Sequence, residues 1–362
     1  MKLERTARTP GRGAVSNPNS RYAEHGRARL EDGWWQDPDE PLRTTLAIDA
    51  SRRVVSYNTS PDIPFDRALN PYRGCEHGCL YCYARPSHAW LGLSPGLDFE
   101  TRLFYKPDAA AQLERELAAP RYRPAPLAIG SNTDPYQPIE RRLGITQTVL
   151  KVLHEWRHPA FITTKSALVL RDLERLVAMA HENLIAVRVS ITTLDAELAR
   201  RLEPRAASPA RRMATIEALA KAGVPVGVLV SPVIPGLTDA DLERILARTG
   251  EAGATMACSQ LIRLPHELKD LFQEWLQAHY PDRAGKVLGL IRQCRAGRLN
   301  DHRFGHRHSG SGPIAELLAR RFTLAARRAG LCTDAGAWTL DNRRFGPPAD
   351  RPSQLSLFED TP

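Results

Sequence analysis

The strongest constraint on this chain is an alternation, from about residue 53 to residue 258, between short β-prone runs and longer helical patterns. The strand candidates are Arg53-Val54-Val55-Ser56-Tyr57, Leu127-Ala128-Ile129-Gly130, Phe161-Ile162-Thr163-Thr164 and residues 185–191, 224–230 and 254–258. Helical patterns fall between them, near 108–118, 146–157, 170–182, 209–221 and 238–249. Ser208-Pro209 supplies an N-cap and a first-turn proline for one of these helices, and Gly223 closes it. Strand–helix alternation at this spacing builds βαβ units around a parallel sheet. Six strands joined by five helices are too few for an eight-fold barrel. The expected fold is therefore α/β, a partial (β/α)6 TIM-type barrel. It is followed by a basic, mainly helical C-terminal extension. The expected organisation is a disordered or peripheral arm at 1–45, the barrel core at 46–258 with a cysteine loop at 74–83, the extension at 259–345 and a flexible tail at 346–362.

Charge is distributed unevenly. The 362-residue chain carries a formal net charge of +9. Residues 1–42 balance to zero, since a basic first half meets Glu31, Asp32, Asp37, Asp39 and Glu40 around Trp34 and Trp35. Residues 283–330 hold eleven Lys/Arg against Asp301 and Glu316, which equals the excess of the whole chain. Such a block suits a nucleic-acid surface; it also suits a set of solvated helix faces.

Six cysteines in this length exclude a disulfide scaffold. Three of them crowd into Cys75-Glu76-His77-Gly78-Cys79-Leu80-Tyr81-Cys82-Tyr83. Gly74 and Gly78 permit a tight loop in which the three thiols converge. A structural zinc site is normally closed by four protein ligands, whereas three thiolates on a [4Fe–4S] cubane leave one iron open. Zinc with His77 as fourth ligand, and inert buried thiols, are the other readings of this spacing. No apolar run approaches the roughly 20 residues of a membrane helix, and the first residues lack the apolar core of a secretory signal. A soluble protein of the reducing cytoplasm is expected.

The spacing C-x3-C-x2-C, with an aromatic before the last cysteine and a following βα series, resembles the radical S-adenosylmethionine (SAM) superfamily over roughly residues 65–260. The resemblance implies a [4Fe–4S] cluster on Cys75, Cys79 and Cys82, with SAM bound at the open iron. One electron from an external donor would then cleave SAM to a 5′-deoxyadenosyl radical that takes hydrogen from the substrate. Within the superfamily the chain is most similar to the spore photoproduct lyase-related group. That likeness implies a SAM-site role for Tyr81 and a radical-relay role for Tyr83. Asn132, Lys165 and Ser190, at strand ends, would contact SAM, in keeping with the end of a βα barrel that carries the site. One position departs. Where those lyases place a hydrogen-donating cysteine after the second strand, this chain has Ser131, a far poorer donor. Cys258, at the end of the sixth strand, is the other candidate donor, with a structural thiol as the alternative; Cys294 and Cys332 read as structural.

The chain ends Gln354-Leu355-Ser356-Leu357-Phe358, apolar anchors in a Pro-rich, acidic tail. The string resembles the pentapeptide with which bacterial proteins bind the sliding clamp, a short-peptide mode of recognition. With the basic block, it points to radical SAM chemistry on DNA, as repair or base modification. The alternatives are radical SAM modification of tRNA or protein, and a non-catalytic iron–sulfur DNA-binding accessory protein.

Overall fold

The computed structural model describes residues 11–23, 42–334 and 338–348; the pentapeptide at 354–358 and the Trp34-Trp35 pair lie outside these residues. The described residues hold ten strands: β1 (Thr45–Ile48), β2 (Val55–Tyr57), β3 (Arg67–Leu69), β4 (Tyr72–Arg73), β5 (Arg102–Tyr105), β6 (Leu127–Ile129), β7 (Ala160–Thr164), β8 (Ile185–Ser190), β9 (Val226–Val233) and β10 (Met256–Leu261). The main sheet runs β10-β9-β8-β7-β6-β3-β2. Its six strands β3, β6, β7, β8, β9 and β10 are all parallel, and β2 closes one edge antiparallel to β3. This is the partial six-stranded βα barrel expected from the alternation.

The first barrel strand differs from expectation. The β-prone run at 53–57 is the antiparallel edge strand, with Val55 opposite Leu69 and Tyr57 opposite Arg67. The parallel series begins instead at β3. Its three residues between Pro64 and Asn70-Pro71 are too few to give a periodic signal. A second small sheet, β1-β5-β4, has no counterpart in the sequence reading; it flanks the cysteine loop.

Apolar side chains on one face of each barrel strand, such as Val187 and Val189 of β8 or Val226 and Val228 of β9, pack under the helices in the main core. The opposite faces line the lumen. At its lower end Ala68, Ala128 and Ala186 leave room that Phe161, Trp338 and Leu340 fill, so the barrel floor is plugged. Beyond β10 the chain divides. Helix Pro313–Arg328 carries buried Leu318, Phe322 and Ala326 into the barrel core and pairs Arg321 with Glu243 of helix Leu242–Glu251 at 2.7 Å. It thereby takes the place of the sixth barrel helix. Helices Leu268–His279 and Pro281–Gln293 form a second core with Leu80, Leu198 and Leu202 beside the cysteine loop. Residues 11–23 dock across this region: Gly13 and Ala14 N–H donate to Glu100 at 2.9 Å each, and Arg21 pairs with Glu267 at 2.8 Å.

The basic block is only partly a surface. Arg295 is 1% exposed and donates to the carbonyls of Leu261, Ile262 and His306. Arg303, Arg307 and Arg321 are paired with Asp301, Asp62 and Glu243. Arg283, Lys286, Arg292, Arg298, Arg320, Arg327 and Arg328 remain exposed.

Candidate active site

The cysteine loop is built by unusual backbone at two glycines and by one buried arginine. Gly74 has φ +78°, and a Cβ there would come within 2.7 Å of Leu103 and 2.9 Å of the Phe99 carbonyl. Gly78 has φ +65°, and a Cβ would meet Glu100 Oε2 at 2.6 Å. Only glycine fits either place. Arg85, fully buried, gathers the loop's carbonyls: Nε donates to Cys79 O at 2.9 Å and Nη2 to Gly78 O at 3.0 Å. Its charge is met by Glu100 at 2.5 Å. Gln137 holds the other side, accepting from Glu76 N–H at 2.8 Å and donating to Gly74 O at 3.2 Å.

Cys75, Cys79 and Cys82 all line one cavity of about 900 Å3 that opens over the upper ends of the barrel strands. Burial pushes all three thiols up, and for Cys75 the neighbouring Asp134 and its fellow cysteines add to this. A metal centre must therefore displace protons to bind. Among the described residues no group of three or more His, Cys, Asp or Glu side chains is gathered closely enough to hold a single metal ion. Three thiolates facing one cavity suit a cubane that keeps one iron open, whereas a structural zinc site is normally closed by a fourth protein ligand. His77 is directed elsewhere, with Nδ1 3.3 Å from Asp134. Burial would raise the Asp134 carboxyl, but His77 beside it and donors from Lys165 N–H and Thr164 hold it low.

The other expected site residues surround this cavity. Tyr81 lines it, while its hydroxyl is drawn into a buried network with Thr192 at 3.0 Å and with Glu203, which is itself paired with Arg212. Tyr83 is 44% exposed at the rim and donates to the Ser131 carbonyl. Asn70 holds the turn beyond β6, accepting from Asn132 N–H at 2.9 Å and donating to Ser131 Oγ at 3.2 Å. The Asn132 and Lys165 side chains belong to the cavity wall. Ser190 does not: it is fully buried and accepts from Lys165 Nζ at 2.9 Å, so it stands behind the lysine. Cys258 lines the cavity on β10, in register with Leu229. Burial raises its thiol, against a lowering by Arg188. Cys294 is fully buried, whereas Cys332 is exposed and only its backbone is structural, pairing with Met256.

Three basic residues of the wall, two arginines and one histidine, were not singled out by sequence. Arg188 sits between the rings of Phe161 and Trp338, 4.7 and 5.3 Å from their centroids, at the cavity floor. Its signal was present: in Ile185-Ala-Val-Arg-Val-Ser a period of two puts Ala186, Arg188 and Ser190 on the lumen face. Arg263 and His308 come from segments with no periodicity to place them. Arg85 and Glu100 likewise meet only in the folded chain.

A family model of the radical SAM superfamily matches residues 69–248. An uncharacterised protein of Mycobacterium tuberculosis is 36% identical over 64% of this chain and 68% of its own. One from Methanocaldococcus jannaschii is 27% identical over 59% of this chain and 76% of its own. Among solved structures, spore photoproduct lyase complexed with dinucleoside spore photoproduct superposes with a TM-score of 0.56 at 15% identity, over 79% of this chain and 80% of that one. A variant of the same lyase with bound AdoMet and dinucleoside spore photoproduct gives 0.53 at 17%, over 78% and 77%. At such identities these structures share the fold. With the cysteine loop at the mouth of a six-stranded βα barrel and the family match across it, the chain belongs to the radical SAM superfamily, is a radical SAM enzyme, and has a [4Fe–4S] cluster and SAM as its cofactors.

Proposed function

We propose that this enzyme acts on DNA, repairing or modifying a base presented to the cavity above the cysteine loop. The observation that carries the reading is the cavity wall. Lys165, Arg188 and Arg263 face a space of about 900 Å3, and no carboxylate pairs with any of them among the described residues. Cationic walls beside aromatic rings suit a nucleotide. The dinucleoside bound by the lyase of like fold supports the same class of substrate.

When bound, the cluster and SAM supply a hydrogen-abstracting radical. The chain's own residues do the rest. Cys75, Cys79 and Cys82 hold the cluster. Asn132, Lys165 and Tyr81 would contact SAM, with Ser190 fixing the lysine. Phe161, Trp338 and Leu340 packed at the barrel floor would limit water entry from that end, as radical chemistry requires. Cys258 would give its thiol hydrogen to the product radical, forming a C–H bond and leaving a sulfur radical; a second electron from the same external donor, relayed through Tyr83 at the rim, and a proton from solvent would restore the thiol. An external electron donor is needed for each initiation.

The test is deoxyadenosine formation by anaerobically reconstituted protein with damaged duplex DNA, undamaged duplex DNA and tRNA. Stimulation by damaged or modified DNA is expected. Stimulation by tRNA alone would move the substrate to RNA. In D2O the product should carry deuterium from the exchanged Cys258 thiol, and Cys258→Ala should lose that label while still cleaving SAM. Label retained in the variant, read by mass spectrometry, removes Cys258 from the pathway.

The C-terminal Gln354–Phe358 segment is proposed to bring the enzyme to DNA through the sliding clamp, in the cytoplasm. Paired anchors of this kind each contribute about 2 kcal/mol or more. Leu357→Ala with Phe358→Ala should therefore weaken clamp binding by at least about a hundredfold, measured by surface plasmon resonance. Unchanged binding would refute the clamp assignment.

A further inference from the structure

At the open end of the cavity, hydrogen-bonding atoms of two side chains meet nothing. Arg263 follows β10 closely, with its guanidinium carbon 5.6 Å from the Tyr83 ring centroid and its Nε buried without a partner. His308 is anchored to the strand end by its carbonyl, which accepts from Leu261 N–H at 2.8 Å, yet both its ring nitrogens are buried and unbonded. Both residues line the cavity. Arg307 stands with them, its charge met by Asp62 at 2.5 Å. Burial, with Arg263 and Arg307 nearby, pushes His308 down to about 4, so its imidazole is neutral near pH 7 and keeps one N–H to donate. Each buried donor left without an acceptor is destabilising. Such a cost at a cavity wall is recovered when a ligand brings the acceptors.

We propose that Arg263 and His308 form a subsite for one phosphodiester of the substrate strand. A phosphodiester has two non-bridging oxygens that match a planar guanidinium fork, and the imidazole N–H adds a second direction of donation. The inference rests on the nucleic-acid reading above and adds to it: the enzyme holds its base within a phosphodiester-linked strand and discriminates against a free nucleoside.

The probes are a fluorescein-labelled thymidine trinucleotide, the same trinucleotide with neutral methylphosphonate linkages, and a uridine trinucleotide, titrated by anisotropy into the reconstituted full-length protein. The wild type should prefer phosphodiester over methylphosphonate by about tenfold or more. Arg263→Gln should lose most of that preference, His308→Ala part of it, and Arg263→Lys should fall between. Arg283→Gln, on an exposed helix face, should leave the preference intact. Circular dichroism and iron content establish that each variant is folded and loaded. Preference retained in both Arg263→Gln and His308→Ala overturns the subsite. Equal binding of both thymidine probes by the wild type overturns the subsite and leaves the nucleic-acid reading standing. Failure to bind any of the three overturns both. Tighter binding of the uridine probe, lost in Arg263→Gln, supports the subsite and assigns it to RNA.

Discussion

Cys79→Ala protein, reconstituted anaerobically, should hold no [4Fe–4S] cluster above background and form no deoxyadenosine. Three thiolates are all the chain offers the centre, so removing one leaves two irons without a protein ligand. The fold should survive. The side chain is small and sits in a loop held by Arg85 and Gln137 rather than by its own thiol. A destabilisation of about 1 kcal/mol is expected for a truncation of this size. Iron and sulfide content, the electron paramagnetic resonance of the reduced protein and deoxyadenosine yield are the measurements. A variant that loses all three while unfolding at nearly the wild-type urea concentration separates cluster ligation from folding. A variant that still cleaves SAM would remove Cys79 from the ligand set and reopen the assignment of the whole loop.

The cluster loop was legible because its chemistry is local: three thiols and two glycines within nine residues need no tertiary information to be recognised. The barrel was legible for a similar reason, since each βα unit carries its own change of period. What failed were features fixed only by the closed sheet. β3 has three residues, and its identity as the first barrel strand comes from its pairing with β6, Ala68 beside Ala128 and Leu69 beside Ile129. Helix Pro313–Arg328 stands more than fifty residues beyond β10, with two other helices between, so sequence order hid its place in the barrel. Ser190 illustrates a subtler limit. Sequence places it within the fourth strand, but whether such a hydroxyl meets the ligand or the residue that meets it depends on the neighbouring strand, here through Lys165. The basic block shows the same limit for charge. Arg295 and Arg307 raise the count in sequence, and the fold turns one to backbone carbonyls and the other to Asp62.

Arg85→Met should destabilise the protein by about 3–5 kcal/mol, the range for breaking a buried ion pair by removing one partner. The arginine is fully buried and bonds to four backbone carbonyls, those of Gly78, Cys79, Pro95 and Gly96, as well as to Glu100. Without it the Glu100 carboxylate keeps, among the described residues, only the Gly13 and Ala14 N–H donors, and the carbonyls on either side of the second cluster cysteine lose their shared donor. Glu100→Gln alone should cost less, because the amide still accepts a hydrogen bond and leaves a cation whose donors are met by carbonyls. The double variant Arg85→Met/Glu100→Gln should be less destabilised than the sum of the singles, since it removes the uncompensated charge, and groups in direct contact show coupling of this kind. Urea unfolding of the three variants measures the coupling. Strict additivity would mean that the pair contributes nothing beyond packing. The functional consequence follows from where the carbonyls sit. A loop whose backbone is no longer clamped presents its thiolates less uniformly, so the Arg85→Met protein should lose its cluster to a chelator faster than wild type under conditions in which both remain folded. Equal rates of loss would show that the glycine turns and Gln137 suffice to hold the ligands in place.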